Sequence, residues 1–281
     1  MKNFLTLIRF PNLLIMLLAQ LLVRKYLVFP ERTWAEALTW PFLVLALATL
    51  CIGAAGYIIN DYYDLKIDRI NKPDRVVLGK GLTRRKAIMV HFYLSATGVA
   101  LGTLLGVRVA VVLFGVAMLL WGYSAQFKKR PLVGNLTIAL LSGVMVLVVP
   151  LQAGEPSVAA WAYGVFAFLI SLIREIIKDM EDVEGDASFR CRTLPIVLGL
   201  PKTKWVLYPL LALFLLYTLV VMWAKAEQPL FLMYLGIGVV LPTLLLTRQL
   251  YYADRKLEYA QLSWFCKGIM LVGVCSMLVL R

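Results

Sequence analysis

Residues 41–68 read PFLVLALATLCIGAAGYIINDYYDLKID. The first twenty positions carry no charge, which is the length that crosses the hydrocarbon core of a bilayer as one α-helix. The stretch then turns acidic at Asp61, Asp64 and Asp68, with Asn60 immediately before them. On a helix, Asn60, Asp64 and Asp68 recur every four residues and Asp61 lies three before Asp64, so the four side chains share one stripe and can converge on one point. Like charges on one stripe repel, and ionisable groups near membrane depth cost several kcal/mol on insertion scales. Something must offset that cost.

The pattern returns once. A later apolar run ends in Arg174-Glu-Ile-Ile-Lys-Asp-Met-Glu-Asp-Val-Glu-Gly-Asp186, where Asp179, Asp182 and Asp186 repeat the three-then-four spacing and Glu175 adds a carboxylate one turn earlier. A single acidic helix end leaves room for the reading that its charges merely sit in the wet interface. Two copies of Asp-x-x-Asp-x-x-x-Asp, each closing a hydrophobic run, point instead to a divalent cation. Mg²⁺ prefers oxygen ligands and is usually held by one or two carboxylates plus phosphate oxygens, so two facing acidic stripes suggest a diphosphate bridged to the protein through Mg²⁺. Transition metals fit poorly, because His91 is the only histidine and no cysteine joins either cluster.

Outward from these runs, the chain of 281 residues is 61% hydrophobic and 16% charged, with mean hydropathy +0.81. That excludes an ordinary soluble domain, and the continuous apolar runs exclude a membrane β-barrel, which alternates with period two. Apolar runs near residues 4–23, 41–60, 87–106, 109–125, 132–151, 158–178, 205–224, 229–248 and 262–280 predict an all-α, polytopic membrane protein of about nine transmembrane helices, a single domain over 1–281. The run from Leu13 to Leu22 has basic residues ahead of it but no small-residue cleavage site, and reads as the first membrane helix. Cys51, Cys191, Cys266 and Cys275 show neither CxxC nor metal spacing.

Alternating the breaks between two sides puts 23 of the 29 basic residues on the side of the N-terminus. The positive-inside rule makes that side cytoplasmic, in a plasma-membrane protein. The net charge of +13 is explained in the same way, with no need for a nucleic-acid partner. The second and sixth runs are an even number of spans apart, so both aspartate clusters emerge on that face. Twelve of the 16 acidic residues lie there too, which charge-biased topology does not require. Among the basic residues of that face, Lys72, Arg75 and Lys80, then Lys128, Lys129 and Arg130 with Tyr123, then Lys178, Arg190 and Arg192 flank the clusters. Arg binds phosphate bidentately and Lys offers a compact charge. Arg75, Lys128, Lys178 and Arg192 are favoured because each adjoins a motif; His91 and the Trp and Tyr residues near helix ends read as structural.

Asn60-Asp-x-x-Asp-x-x-x-Asp68 followed by Asn71-Lys-Pro-Asp-Arg75 resembles the first signature of the UbiA superfamily of intramembrane prenyltransferases, and Asp179 to Asp186 the second. The resemblance spans the chain, including Arg9-Phe-Pro-Asn12 and the count of helices, and implies a UbiA-like bundle. Within the superfamily, Arg174 to Asp186 with Arg192-Thr-Leu-Pro-Ile196 is most similar to archaeal-type digeranylgeranylglyceryl phosphate synthases. After Arg75, Val76-Val-Leu-Gly-Lys-Gly81 departs from the Pro-Leu-Pro-Ser-Gly form of that family, and the Tyr123 to Lys128 spacing is one residue longer than in some ubiquinone-pathway members.

The resemblance implies a Mg²⁺-dependent enzyme that moves a prenyl group, geranylgeranyl by the subfamily, from a prenyl diphosphate to a hydroxyl of a glyceryl-phosphate lipid. Asn60, Asp61, Asp64, Asp179 and Asp182 are expected to hold metal. Lys72, Arg75, Tyr123, Lys128, Arg174, Lys178 and Arg192 are expected to bind substrate, with Arg75 and Lys178 stabilising the leaving diphosphate. Asp68 and Asp186 complete the metal shell or take the acceptor's proton. Ionisation would give an allylic cation for the acceptor to attack, and the prenyl tail would lie in an apolar groove open to lipid. Two alternatives stand beside this: an aromatic prenyltransferase of quinone, haem or chlorophyll-type pathways, and a cation transporter, for which intramembrane carboxylates are also typical.

Overall fold

Backbone N–H and C=O groups in hydrocarbon find no water, so a chain this apolar must satisfy them within helices. The computed structural model describes all residues except Met1, Lys72, Asp74, Arg75, Lys80, Gly81 and Arg281, and the side chains of Lys2 and Asn3 also lie outside the described set. Lys72, Arg75 and Lys80, singled out above for their charge, therefore lie outside the described residues. Among the described residues there is no strand, only one isolated bridge between Leu78 and Leu82.

The helices are α1 (Lys2–Leu7), α2 (Phe10–Leu22), α3 (Trp34–Ala37), α4 (Trp40–Asn71), α5 (Arg84–Thr103), α6 (Val107–Ala125), α7 (Val133–Ala153), α8 (Val158–Ser188), α9 (Leu194–Leu198), α10 (Leu200–Ala224), α11 (Pro229–Leu235), α12 (Leu241–Tyr252) and α13 (Lys256–Cys275). Wider π turns extend α2 over Val23–Val28 and join α11 to α12 over Gly236–Val240. The second of these precedes Pro242, whose missing N–H interrupts the regular ladder.

Eight described helices are long and apolar enough to cross a membrane. The ninth expected span corresponds to α5, which at 20 residues is about 30 Å long but opens with Arg84, Arg85 and Lys86 and buries His91, so its composition is less apolar than its length suggests. The His91 Nδ1 lies 3.0 Å from the Ala55 carbonyl, to which it donates. That is the structural role expected of it.

The chain divides into two compact units, one of Met1–Lys128 with Leu147–Ser157, the other of Lys129–Val146 with Val158–Arg281. In the first, α4 packs against α5, α6, α2 and α1. Because lipid tails are as apolar as leucine, such packing depends on close approach and a few interhelical hydrogen bonds rather than on apolar burial. Gly98 supplies the approach between α5 and α4, since a Cβ there would lie 2.8 Å from the Ala48 carbonyl oxygen. Thr49 Oγ1 donates to Gln20 Oε1 at 3.0 Å and joins α4 to α2. In the second unit, α8 packs against α13, α10 and α9, around a core that includes Ile170, Ile173, Ile177, Leu211, Phe214 and Cys266.

Candidate active site

The long helices explain why both aspartate stripes exist as helix at all. A bilayer core of about 30 Å needs about 20 residues, whereas α4 has 32 and α8 has 31. Their apolar portions end near residues 59 and 173. No proline or glycine interrupts α4 between Tyr57 and Asn71, and α8 has no proline, so hydrogen bonding carries both helices on past the apolar portion. Asn60, Asp61, Asp64 and Asp68 ride on the extension of α4, and Asp179, Asp182 and Asp186 on that of α8, as the spacing predicts.

In the first unit, Asp61 and Asp64 are each held by a cation. Arg9 Nη2 donates to Asp61 Oδ1 at 3.0 Å while its guanidinium lies 5.0 Å from the centre of the Tyr57 ring. The Arg9 backbone, between α1 and α2, is left-handed (φ 49°, ψ 53°), a region few non-glycine residues adopt and one enriched at functional sites. Lys128, just past α6, donates Nζ to Asp64 Oδ1, both side chains being largely buried. Asn60 keeps a buried Oδ1 with no hydrogen-bond partner among the described residues. Tyr123 is half-buried near the end of α6. Asp68 sits half-buried two turns beyond Asp61.

In the second unit, Glu175 is buried and receives Arg174 Nη1, and Lys178 Nζ lies 3.8 Å from its other oxygen. Arg174 Nε is buried without a partner among the described residues. Asn135, near the start of α7, is buried and donates Nδ2 to Asp179 Oδ2 at 2.8 Å. The Asp186 carbonyl accepts the Cys191 N–H at 3.0 Å, which closes the end of α8. Arg192 exposes its side chain, and its backbone N–H donates to the Lys129 carbonyl at 2.9 Å.

Lys128 thus meets Asp64, and Arg174 and Lys178 meet Glu175, whereas the side chain of Arg192 is exposed. Among the described residues no group of three or more His, Cys, Asp or Glu is placed to hold a metal ion by itself. Asp61, Asp64 and Asp179 are engaged by Arg9, Lys128 and Asn135. Arg9 was visible in the sequence only as part of a quoted resemblance. Asn135 carried no signal beyond being an amide at the head of an apolar run.

Residues 13–269 match the model of the UbiA prenyltransferase family. The chain belongs to that family. Among curated relatives it is 37% identical over 165 residues to the digeranylgeranylglyceryl phosphate synthase of Thermococcus gammatolerans, covering 58% of this chain and 59% of that one. It is 38% identical over 152 residues to the synthase of the same name from Methanopyrus kandleri, covering 54% and 55%. The match thus spans less than two thirds of those relatives. A solved structure from work on digeranylgeranylglyceryl phosphate synthase in membranes superposes with a TM-score of 0.73 at 25% identity, covering 99% of this chain and 97% of the other. A UbiA homolog from Archaeoglobus fulgidus bound to GPP and Mg²⁺ superposes with a TM-score of 0.70 at 18% identity, covering 98% and 99%. Family and helices together make this UbiA-family chain a multi-pass membrane protein.

Proposed function

We propose that the chain acts over residues 1–281 as one prenyltransferase domain that moves a prenyl group, geranylgeranyl in the first instance, from prenyl diphosphate to a hydroxyl of a glyceryl-phosphate lipid such as geranylgeranylglyceryl phosphate. The observation that carries the reading is the pair of Asp-x-x-Asp-x-x-x-Asp stripes on polar extensions of otherwise apolar helices. Membership of the UbiA prenyltransferase family supports the reaction class, and the name shared by the relatives from T. gammatolerans and M. kandleri supports the acceptor.

The donor set fits Mg²⁺. It offers hard oxygen only, and the uncommitted buried Oδ1 of Asn60 beside Asp61 is an acceptor in need of a partner. Carboxylates already half-engaged leave a metal dependent on phosphate oxygens for the rest of its shell, which suits a site that takes metal and diphosphate together. Asn60, Asp61, Asp64, Asp179 and Asp182 are the proposed ligands. Mg²⁺, when bound, supplies positive charge to the leaving diphosphate. Lys128, Lys178, Arg174 and Arg192, with Lys72 and Arg75, neutralise the diphosphate as its bond to the prenyl carbon breaks, and Tyr123 lines the substrate. Asp68 and Asp186 complete the shell or accept the proton of the attacking hydroxyl. The acidic face is proposed to be cytoplasmic, in the plasma membrane, on the charge asymmetry of the loops.

The test is transfer from radiolabelled geranylgeranyl diphosphate by the purified protein in liposomes, with geranylgeranylglyceryl phosphate and an aromatic acid offered in parallel. Product is expected with the glyceryl phosphate, lost on chelation by EDTA and restored by Mg²⁺. Asp61→Ala and Asp182→Ala should lower the rate at least 100-fold, on the order of removing a transition-state charge stabiliser. Parent rates in both variants, confirmed folded, would end the reading; product on the aromatic acceptor alone would replace the lipid acceptor.

A further inference from the structure

We propose that Asn135 is a positioning residue for Asp179, fixing one carboxylate oxygen so that the other is presented to metal. The proposal rests on the prenyltransferase reading above and deepens it. Asn135 is 6% exposed, and its Nδ2 is 2.8 Å from Asp179 Oδ2. A carboxylate only accepts, so the amide nitrogen must be the atom that faces it.

The route by which Asn135 reaches that position is itself held. The Lys129 carbonyl accepts the Arg192 backbone N–H at 2.9 Å, which ties the turn before α7 to the segment after α8. Leu132 then takes a left-handed backbone (φ 62°), and Val133 N–H closes on the Pro131 carbonyl at 2.8 Å. A branched side chain in that conformation is strained, and such strain persists only where the surroundings over-determine it. Further along, Gly143 lets α7 come against the Gly164 carbonyl of α8, where a Cβ would stand 3.1 Å away. Turn and close crossing together set the register of α7 on α8, and Asn135 is delivered to Asp179.

The chemistry of the donor matters as much as its place. Lys128 gives Asp64 a full positive charge, which competes with a cation for the carboxylate. A primary amide orients Asp179 without placing a competing positive charge beside it. Partners of this kind behind a metal ligand are typically worth about 10- to 100-fold in metal affinity or activity.

The experiment compares Asn135→Leu and Asn135→Ala with the parent, full-length in liposomes. It reads the Mg²⁺ concentration for half-maximal transfer and, independently of turnover, Mn²⁺ binding by electron paramagnetic resonance with a non-hydrolysable prenyl thiolodiphosphate present. Both variants lose the donor, but only alanine leaves a cavity. The proposal expects the same increase in both, about 10- to 100-fold in the metal constants, with kcat at saturating Mg²⁺ changed only a few-fold. Parent-like constants in either variant, or weakening confined to one and in step with its loss of thermal stability, overturn the positioning role. A parent that needs no divalent cation overturns the prenyltransferase reading itself.

Discussion

Gly98 and Gly115 make opposite predictions from the same chemical change. Gly98 sits on α5 where a Cβ would meet Ile52 Cγ1 at 2.5 Å and the Ala48 backbone oxygen at 2.8 Å. The isoleucine can turn, but the carbonyl belongs to the ladder of α4 and cannot. Bringing that contact out to the 3.4 Å at which ordinary van der Waals separation begins requires α5 and α4 to part by about 0.6 Å. Overpacking of this kind typically costs about 1–3 kcal/mol, offset by the helix preference for alanine over glycine of about 1 kcal/mol. At Gly115 on α6, a Cβ meets nothing within 4 Å, so only the favourable part remains. At roughly 2–4 °C per kcal/mol for a chain of comparable size, Gly98→Ala should melt up to roughly 8 °C lower in detergent micelles and Gly115→Ala slightly higher than the parent. Circular dichroism on heating reads both, with reversibility checked for each. The reasoning is refuted if Gly98→Ala melts at or above Gly115→Ala, because the α4–α5 contact would then not depend on the missing side chain.

Arg24 is 4% exposed and donates to the Ala37 carbonyl and Thr39 Oγ1 at 3.0 Å and to Gln152 Oε1 at 3.3 Å; Arg24→Met leaves three acceptors behind and should destabilise by about 2–4 kcal/mol, read as a lower melting temperature, and an unchanged one would show those bonds to be idle. For orientation, in a chain whose native cysteines are replaced, an impermeant maleimide should label Glu227→Cys from outside intact cells and Ser188→Cys only after permeabilisation. The reverse pattern would invert the topology.

The sequence announced the helices because an apolar run of twenty residues has one cheap solution in a bilayer. The apolar runs alone do not mark where they end. The second and sixth runs were expected to stop near residues 60 and 178, but α4 continues to Asn71 and α8 to Ser188, since apolarity reports the membrane and hydrogen bonding reports the helix. The aspartate stripes were legible because three-then-four spacing is itself helical geometry. Their partners were not. Asn135 lies 44 residues from Asp179 and Arg9 lies 52 from Asp61, and no periodicity connects such pairs; only tertiary packing chooses them. Lys128 drew notice because a cation near a motif is conspicuous, whereas an amide among leucines is not.

The same partners bear on the charge asymmetry from which orientation was read. Of the 23 basic residues assigned to the N-terminal side, six among the described residues, Arg9, Lys128, Arg174, Lys178, Lys204 and Lys256, lie within ion-pair distance of carboxylates. Their places answer to the acids they touch, so counting them as topology signals would use one fact twice. Removing these six leaves 17 against the six of the opposite side, still nearly three to one. The bias therefore survives the subtraction, and it is carried by loop cations such as Arg84, Arg85 and Lys86 at the head of α5, where a positive-inside signal is expected to act.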